Sequence, residues 1–223
     1  MPTSYSTEGR SVRADESHGL TAVRGFSLIE ALIVVSIMFI AAAVVIPTAS
    51  TAIRSVRLSS SGTRYADLLQ QARVLAVRND TYYTVISLPA TSSTAGTAFL
   101  DLNGNGTYQS GEPMMVFAQN VTPTPFGSGP AVTNLESMFL PPGTASLLSV
   151  TAGQTAAGPT FGPRGLPCTP SPTGAYTTCP YLTPTSYITF IQGDGGAWEA
   201  VTVTPAGRIR EWRYDGTTWS PLD

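Results

Sequence analysis

Asp101, Asn103 and Asn105 alternate ahead of Gly106, and Glu112 follows after five intervening residues. This spacing meets the calcium-loop pattern D-x-[DN]-x-[DN]-G-x5-E, in which side-chain oxygens and the Thr107 carbonyl wrap one hard cation. Two carboxylates make a weak Ca²⁺ site, and the flanking segments 97–102 and 114–118 read as strands rather than the helices of an EF-hand. The same letters make an Asn-Gly hairpin turn with solvated carboxylates. Both readings stand, with the turn preferred.

Near the C-terminus Arg208, Arg210 and Trp212 alternate behind Gly207. On a strand they share one face, which sets two guanidiniums beside an aromatic ring, a combination suited to nucleic acid. The surrounding charge opposes this use. From residue 81 onward there are 4 arginines against 8 Asp and Glu, net −4, so no broad basic field collects phosphates. Ion pairing of these arginines with Glu199 or Glu211 on a hairpin is the preferred reading.

A third candidate is Glu30, the one carboxylate in the apolar segment 26–46. As a helix this segment extends about 31 Å at ~1.5 Å per residue, enough to cross a hydrocarbon core of ~30 Å. A carboxylate in such a span costs roughly 2.5–3.5 kcal/mol and calls for a positive partner. A secretory signal has a shorter apolar core, and no Ala-x-Ala site closes this one. A plain membrane anchor accounts for the length but not for Glu30. Charge does not orient the span, because Arg10, Arg13 and Arg24 before it match Arg54, Arg57 and Arg64 after it.

Gly25-Phe26-Ser27-Leu28-Ile29-Glu30, followed by the apolar run, resembles the class III signal of type IV pilins and type II secretion pseudopilins. In that family a prepilin peptidase cuts after the glycine and methylates the new N-terminal residue. The resemblance implies cleavage between Gly25 and Phe26, an N-methylated Phe26, and Pro47 at a position where many pilins carry proline. It also supplies the partner of Glu30: in a packed filament the carboxylate neutralises the terminal amine of a neighbouring subunit's Phe26.

Further landmarks narrow the resemblance. Leu-Gln-Gln-Ala-Arg-Val-Leu-Ala-Val-Arg-Asn at 69–79, the Asp-rich turn at 101–106, Tyr-Ile-Thr-Phe at 187–190 and Gly207-Arg208-Ile209 are similar to the GspH/FimT family of minor pilins and pseudopilins. That likeness implies a single-pass inner-membrane protein with its C-terminal head in the periplasm. Its partners would be other pilin or pseudopilin subunits, the prepilin peptidase and secreted cargo. Its role would be to prime assembly at or near the tip of a secretion pseudopilus or type IV pilus. Members of the FimT branch carry a Gly-Arg-x-Arg motif linked to DNA uptake, which Gly207-Arg208-Ile209-Arg210 resembles. A DNA receptor in natural transformation is therefore the competing role, and it is not favoured.

Composition narrows the chemistry further. The chain has no lysine, which removes Schiff-base and Ser-Lys mechanisms. Its one histidine, His18, lies in the leader, so the processed chain would lack Ser-His-Asp and Cys-His pairs and His-containing zinc sites. No enzyme is expected, and no cofactor apart from the calcium option. Cys168 and Cys179 bracket a Pro/Thr/Ser/Gly-rich stretch. In an oxidising compartment they read as a disulfide, worth ~3 kcal/mol in the chain-entropy picture.

The elements that position these groups form an α+β chain with a pilin-like plan. Residues 1–25 form a leader, 26–46 a transmembrane or filament-core helix, 47–80 its amphipathic continuation and 81–223 a β-rich head. Ile53, Val56, Tyr65, Leu68, Leu69, Ala72, Leu75 and Ala76 recur near helical spacing and form the stripe expected to pack on the sheet. Pro47 lacks an amide donor and is expected to kink or break the helix, with Ser59-Ser60-Ser61-Gly62 a second weak point. Period-two patterns place strands at 82–88, 97–102, 114–118, 147–150, 187–192, 198–204 and 208–213. Prolines and glycines between 122 and 184 point to long surface loops instead of more sheet.

Overall fold

The computed structural model describes residues 27–124, 129–132, 135, 148–149, 158–169, 179 and 185–222. Gly25, Phe26, the leader with His18, and most of the loop enclosed by the cysteines lie outside the described residues. The chain divides into two units, Met1–Ile46 and Pro47–Asp223.

One helix, α1 (Leu28–Asn79), runs without interruption through Pro47 and Gly62, so neither weak point breaks it. Its end is specified locally. Asp80 adopts a left-handed φ of 51°, and the Thr81 amide donates to the Ala76 carbonyl at 3.1 Å, the six-to-one bond of a Schellman cap.

In the first unit the helix is apolar and exposed. Leu28 is 84 % and Phe39 72 % exposed, and the most apolar window has a mean hydropathy of 2.8 with none of it buried. The helix is long and apolar enough to cross a membrane.

In the second unit the helix becomes amphipathic. Leu58, Tyr65, Ala66, Leu68, Leu69, Ala72 and Ala76 are buried at helical spacing. The stripe begins at Leu58, later than the sequence pattern suggested, because Ile53 and Val56 stay exposed.

The head is built from two sheets. The first has the order β3-β2-β1-β6-β7, from β1 (Tyr83–Leu88), β2 (Thr97–Asp101), β3 (Met114–Val116), β6 (Thr160–Phe161) and β7 (Pro167–Cys168). The second has the order β11-β10-β9-β8-β4, from β4 (Thr122–Thr124), β8 (Tyr187–Gln192), β9 (Trp198–Val203), β10 (Ile209–Tyr214) and β11 (Trp219–Pro221). All of these pairings are antiparallel, and the two-residue β5 (Leu148–Ser149) adds a parallel pairing to β8.

Segment 122–184, expected to be loops apart from a strand at 147–150, contributes β4, β6 and β7 as well as β5, which falls within that expected strand. β4 carries Pro123 and lies at a sheet edge, where a missing amide breaks no ladder.

Alternation along the central strands decides which side chains meet the helix. Tyr187 and Ile191 of β8 with Val201 and Val203 of β9 join Tyr65, Leu69 and Ala72 of α1 and Val85, Leu100 and Phe161 of the first sheet in one core. The opposite face of the second sheet holds a smaller core of Ile188, Phe190, Ala200, Trp212, Trp219 and Leu135. At the centre of the larger core Tyr65 and Thr189 share a hydroxyl hydrogen bond at 3.2 Å, and burial raises the Tyr65 pKa to about 12.

Candidate functional site

Glu30 stands in the first turn of α1, the only acidic residue there, and its side chain is exposed along with the apolar residues around it. A carboxylate at a helix N-terminus is favoured by the amide dipoles, worth ~0.3–1 kcal/mol, far less than placing it in hydrocarbon costs. The expected partner, the Phe26 amine, lies outside the described residues, as does the Gly25–Phe26 bond.

The loop between β2 and β3 brings Asp101 and Glu112 together as the calcium pattern requires, but their oxygens are engaged by the loop itself. Asp101 Oδ1 accepts the Gly104 amide at 2.7 Å and the Asn105 amide at 3.3 Å, and Oδ2 accepts the Gly106 amide at 2.7 Å. Glu112 Oε1 accepts the Leu102 amide at 3.0 Å and Oε2 the Gln109 amide at 2.8 Å. The Asn103 side-chain amide donates to Gln109 Oε1 at 2.9 Å, and Asn105 Oδ1 accepts the Thr107 amide at 2.8 Å. Asp101 and Glu112 are buried, not solvated as a simple turn would have them. The residues fit a self-satisfied hydrogen-bonded hairpin loop, and among the described residues no cluster of three or more His, Cys, Asp or Glu is placed to hold a metal ion.

Arg208 and Arg210 line one open groove with Ala66, Asp67 and Gln70 of the helix, Ile209 and Glu211 of β10, and Leu222. The aromatic ring expected beside them is present but inaccessible. Trp212 is fully buried, donates its indole N–H to Thr202 Oγ1 at 2.8 Å, and has the Arg210 guanidinium 5.8 Å from its ring centroid. Bases therefore find no stacking surface at this ring.

One of the two carboxylates expected in ion pairs, Glu199, binds Arg213, while Glu211 Oε2 accepts the Thr63 hydroxyl at 2.9 Å.

Gly207 explains how the arginine motif is held. Its φ is +77°, and a Cβ there would come within 2.6 Å of the Gly165 carbonyl oxygen and 3.2 Å of Arg73 Nε. Arg73 Nε donates to that same Gly165 oxygen at 3.0 Å. Helix, hairpin turn and the β6–β7 turn thus meet at one point that only glycine fits.

Glu199, expected from the sequence as an ion-pair partner on the hairpin, turns out to be a buried group of the helix–hairpin junction. It is 1 % exposed, and Oε1 accepts both Arg213 Nη2 at 2.7 Å and Nε at 3.2 Å. Oε2 is buried without a hydrogen-bond partner and faces Gly62 of the helix. Burial raises the carboxyl pKa of Glu199 despite the guanidinium, and burial with the nearby Asp67 raises that of Glu211. Arg213 is the cross-strand partner of Glu199 in the β9–β10 hairpin, whereas Gly62 reaches Glu199 only through tertiary contact and leaves no local signal.

Cys168 and Cys179 are disulfide-bonded, as expected. The Tyr187 hydroxyl donates to the Cys168 carbonyl at 2.5 Å and ties the bridge to β8. Comparison with family models, curated proteins and solved structures found no match.

Proposed function

We propose that this chain is a minor pseudopilin or pilin, a filament subunit rather than an enzyme. A prepilin peptidase cleaves it between Gly25 and Phe26, the apolar half of α1 sits in the inner membrane and then in a filament core, and the β-rich head lies in the periplasm. The subunit acts at or near the tip of a type II secretion pseudopilus or type IV pilus, where it primes assembly and contacts cargo.

One observation carries the reading: an exposed apolar helical segment whose first turn holds a single carboxylate, continuous with a helix that is buried in a β-rich head. Lipid or like helices can cover such a segment, and only a packed filament gives Glu30 a cationic neighbour in every subunit. Glu30→Ala is expected to remain membrane-inserted and to disappear from sheared filaments. Normal incorporation of that variant removes the ion pair and with it the main support for the reading.

The second reading, a DNA receptor in the same kind of filament, is favoured by one observation, the shared groove of Arg208 and Arg210. Asp67 and Glu211 line the same groove and weaken its appeal to phosphate.

A further inference from the structure

The chain contains two Asn-Gly pairs, Asn103-Gly104 and Asn105-Gly106, and both stand in the loop between β2 and β3. Such a pair carries the means of its own modification. The glycine amide nitrogen gives up its proton and attacks the preceding side-chain Cγ. A cyclic succinimide forms, the side-chain nitrogen takes up a proton and leaves as ammonia, and water opens the ring to aspartate or isoaspartate. Glycine has no side chain to shield that nitrogen. Both asparagines are exposed, so base and water reach them.

In this loop the attacking nitrogens are held. Gly104 donates to Asp101 Oδ1 and Gly106 to Asp101 Oδ2, each at 2.7 Å. A carboxylate that accepts an N–H bond favours the protonated nitrogen, and an amide anion formed beside it would be repelled. Asp101 is 1 % exposed, so solvent does not compete for its oxygens. The side chains that would be attacked are also engaged. Asn105 Oδ1 accepts the Thr107 amide at 2.8 Å and the Thr107 hydroxyl at 3.0 Å, and Asn103 Nδ2, the leaving nitrogen, donates to Gln109 Oε1 at 2.9 Å.

We propose that the β2–β3 loop is a latent deamidation site guarded by Asp101, whose carboxylate keeps the Gly104 and Gly106 amides from attacking Asn103 and Asn105. The calcium-loop letters thus have a use that needs no cation. The two sites are unequal: Gly106 is buried, whereas Gly104 is half-buried and shares Asp101 Oδ1 with the Asn105 amide at 3.3 Å. Asn103 is therefore the first to convert. Its conversion removes the donor to Gln109 and adds a carboxylate to a loop that already holds Asp101 and Glu112, which loosens the hairpin and exposes Asn105 in turn.

The test follows deamidation of the full chain in detergent at mildly alkaline pH, read by peptide mapping and mass spectrometry at Asn103 and Asn105, with urea-unfolded chain as the reference. The folded wild type is expected to convert at least roughly tenfold more slowly than the unfolded chain, with Asn103 ahead of Asn105. Asp101→Ala should bring both sites close to the unfolded rate. Glu112→Ala, which frees the Leu102 and Gln109 amides but leaves Gly104 and Gly106 on Asp101, should raise the rate less. Folded wild type converting as fast as the unfolded chain overturns the proposal, as does an unchanged rate in Asp101→Ala. An equal rise in Glu112→Ala assigns the protection to loop order in general and removes the special role of Asp101. Should Asp101→Ala fail to fold, Asp101→Asn, which keeps the size and one acceptor oxygen but not the charge, takes its place, and an unchanged rate there is equally fatal.

Discussion

Arg213 spends two nitrogens on one oxygen of Glu199, at 2.7 and 3.2 Å, and leaves the other oxygen facing Gly62. The ion pair therefore satisfies half of a buried carboxyl, and the helix meets the unsatisfied half. This makes the α1–hairpin junction sensitive to every group that sets the charge of Glu199.

Arg213→Ala should destabilise the chain by up to about 3 kcal/mol, below the usual loss for a broken buried pair because the Arg213 side chain is 38 % exposed and Glu199 can take up a proton. Without the guanidinium the Glu199 pKa rises further, so the loss is greater at alkaline than at acidic pH. Denaturant unfolding at two pH values measures it.

Gly62→Ala would raise helix propensity by ~1 kcal/mol on an exposed surface. Here the new methyl meets Glu199 Oε2 at 2.6 Å, and a net loss of roughly 1–3 kcal/mol is expected. Combining it with Glu199→Ala should recover part of that loss in a double-mutant cycle.

For the β2–β3 loop, Asp101→Ala and Glu112→Ala each strand two or three amide donors and should cost about 1–3 kcal/mol. The cost is expected to be the same with calcium and with chelator. A calcium-dependent rise in melting temperature, lost in both variants, would assign the loop to the cation.

Much of this was legible because it is periodic. Tyr187–Gln192 is a short β-branched and aromatic run that forms a strand over those residues, and β1, β2, β9 and β10 lie within one or two residues of the expected spans. In segment 122–184 β5 falls within the expected strand at 147–150, while β4 and β7 were hidden by their prolines, which an edge position tolerates and a central strand would not. Ser59-Ser60-Ser61-Gly62 looked like a breaker, but it is held by contacts far along the chain, with Ser61 Oγ accepting the Ala118 amide at 3.1 Å. Arg210 and Trp212 alternate on β10 while Arg208 precedes the strand, and alternation cannot say that the tryptophan face is covered by a second core.

The groove of Arg208 and Arg210 separates the two proposed roles. With Asp67 and Glu211 among its lining residues and a head of net −4, duplex DNA should not bind at physiological salt. Clear binding with a salt slope of about two charges, lost in the Arg208→Ala, Arg210→Ala double variant, would move the assignment to a DNA-uptake pilin.

Intact-mass analysis of the chain recovered from cells with an active prepilin peptidase tests the filament-subunit reading most directly. The account predicts loss of residues 1–25, a chain beginning at Phe26, and the added mass of one methyl group. An N-terminus after residue 46, or an unprocessed chain in the presence of the peptidase, would contradict it.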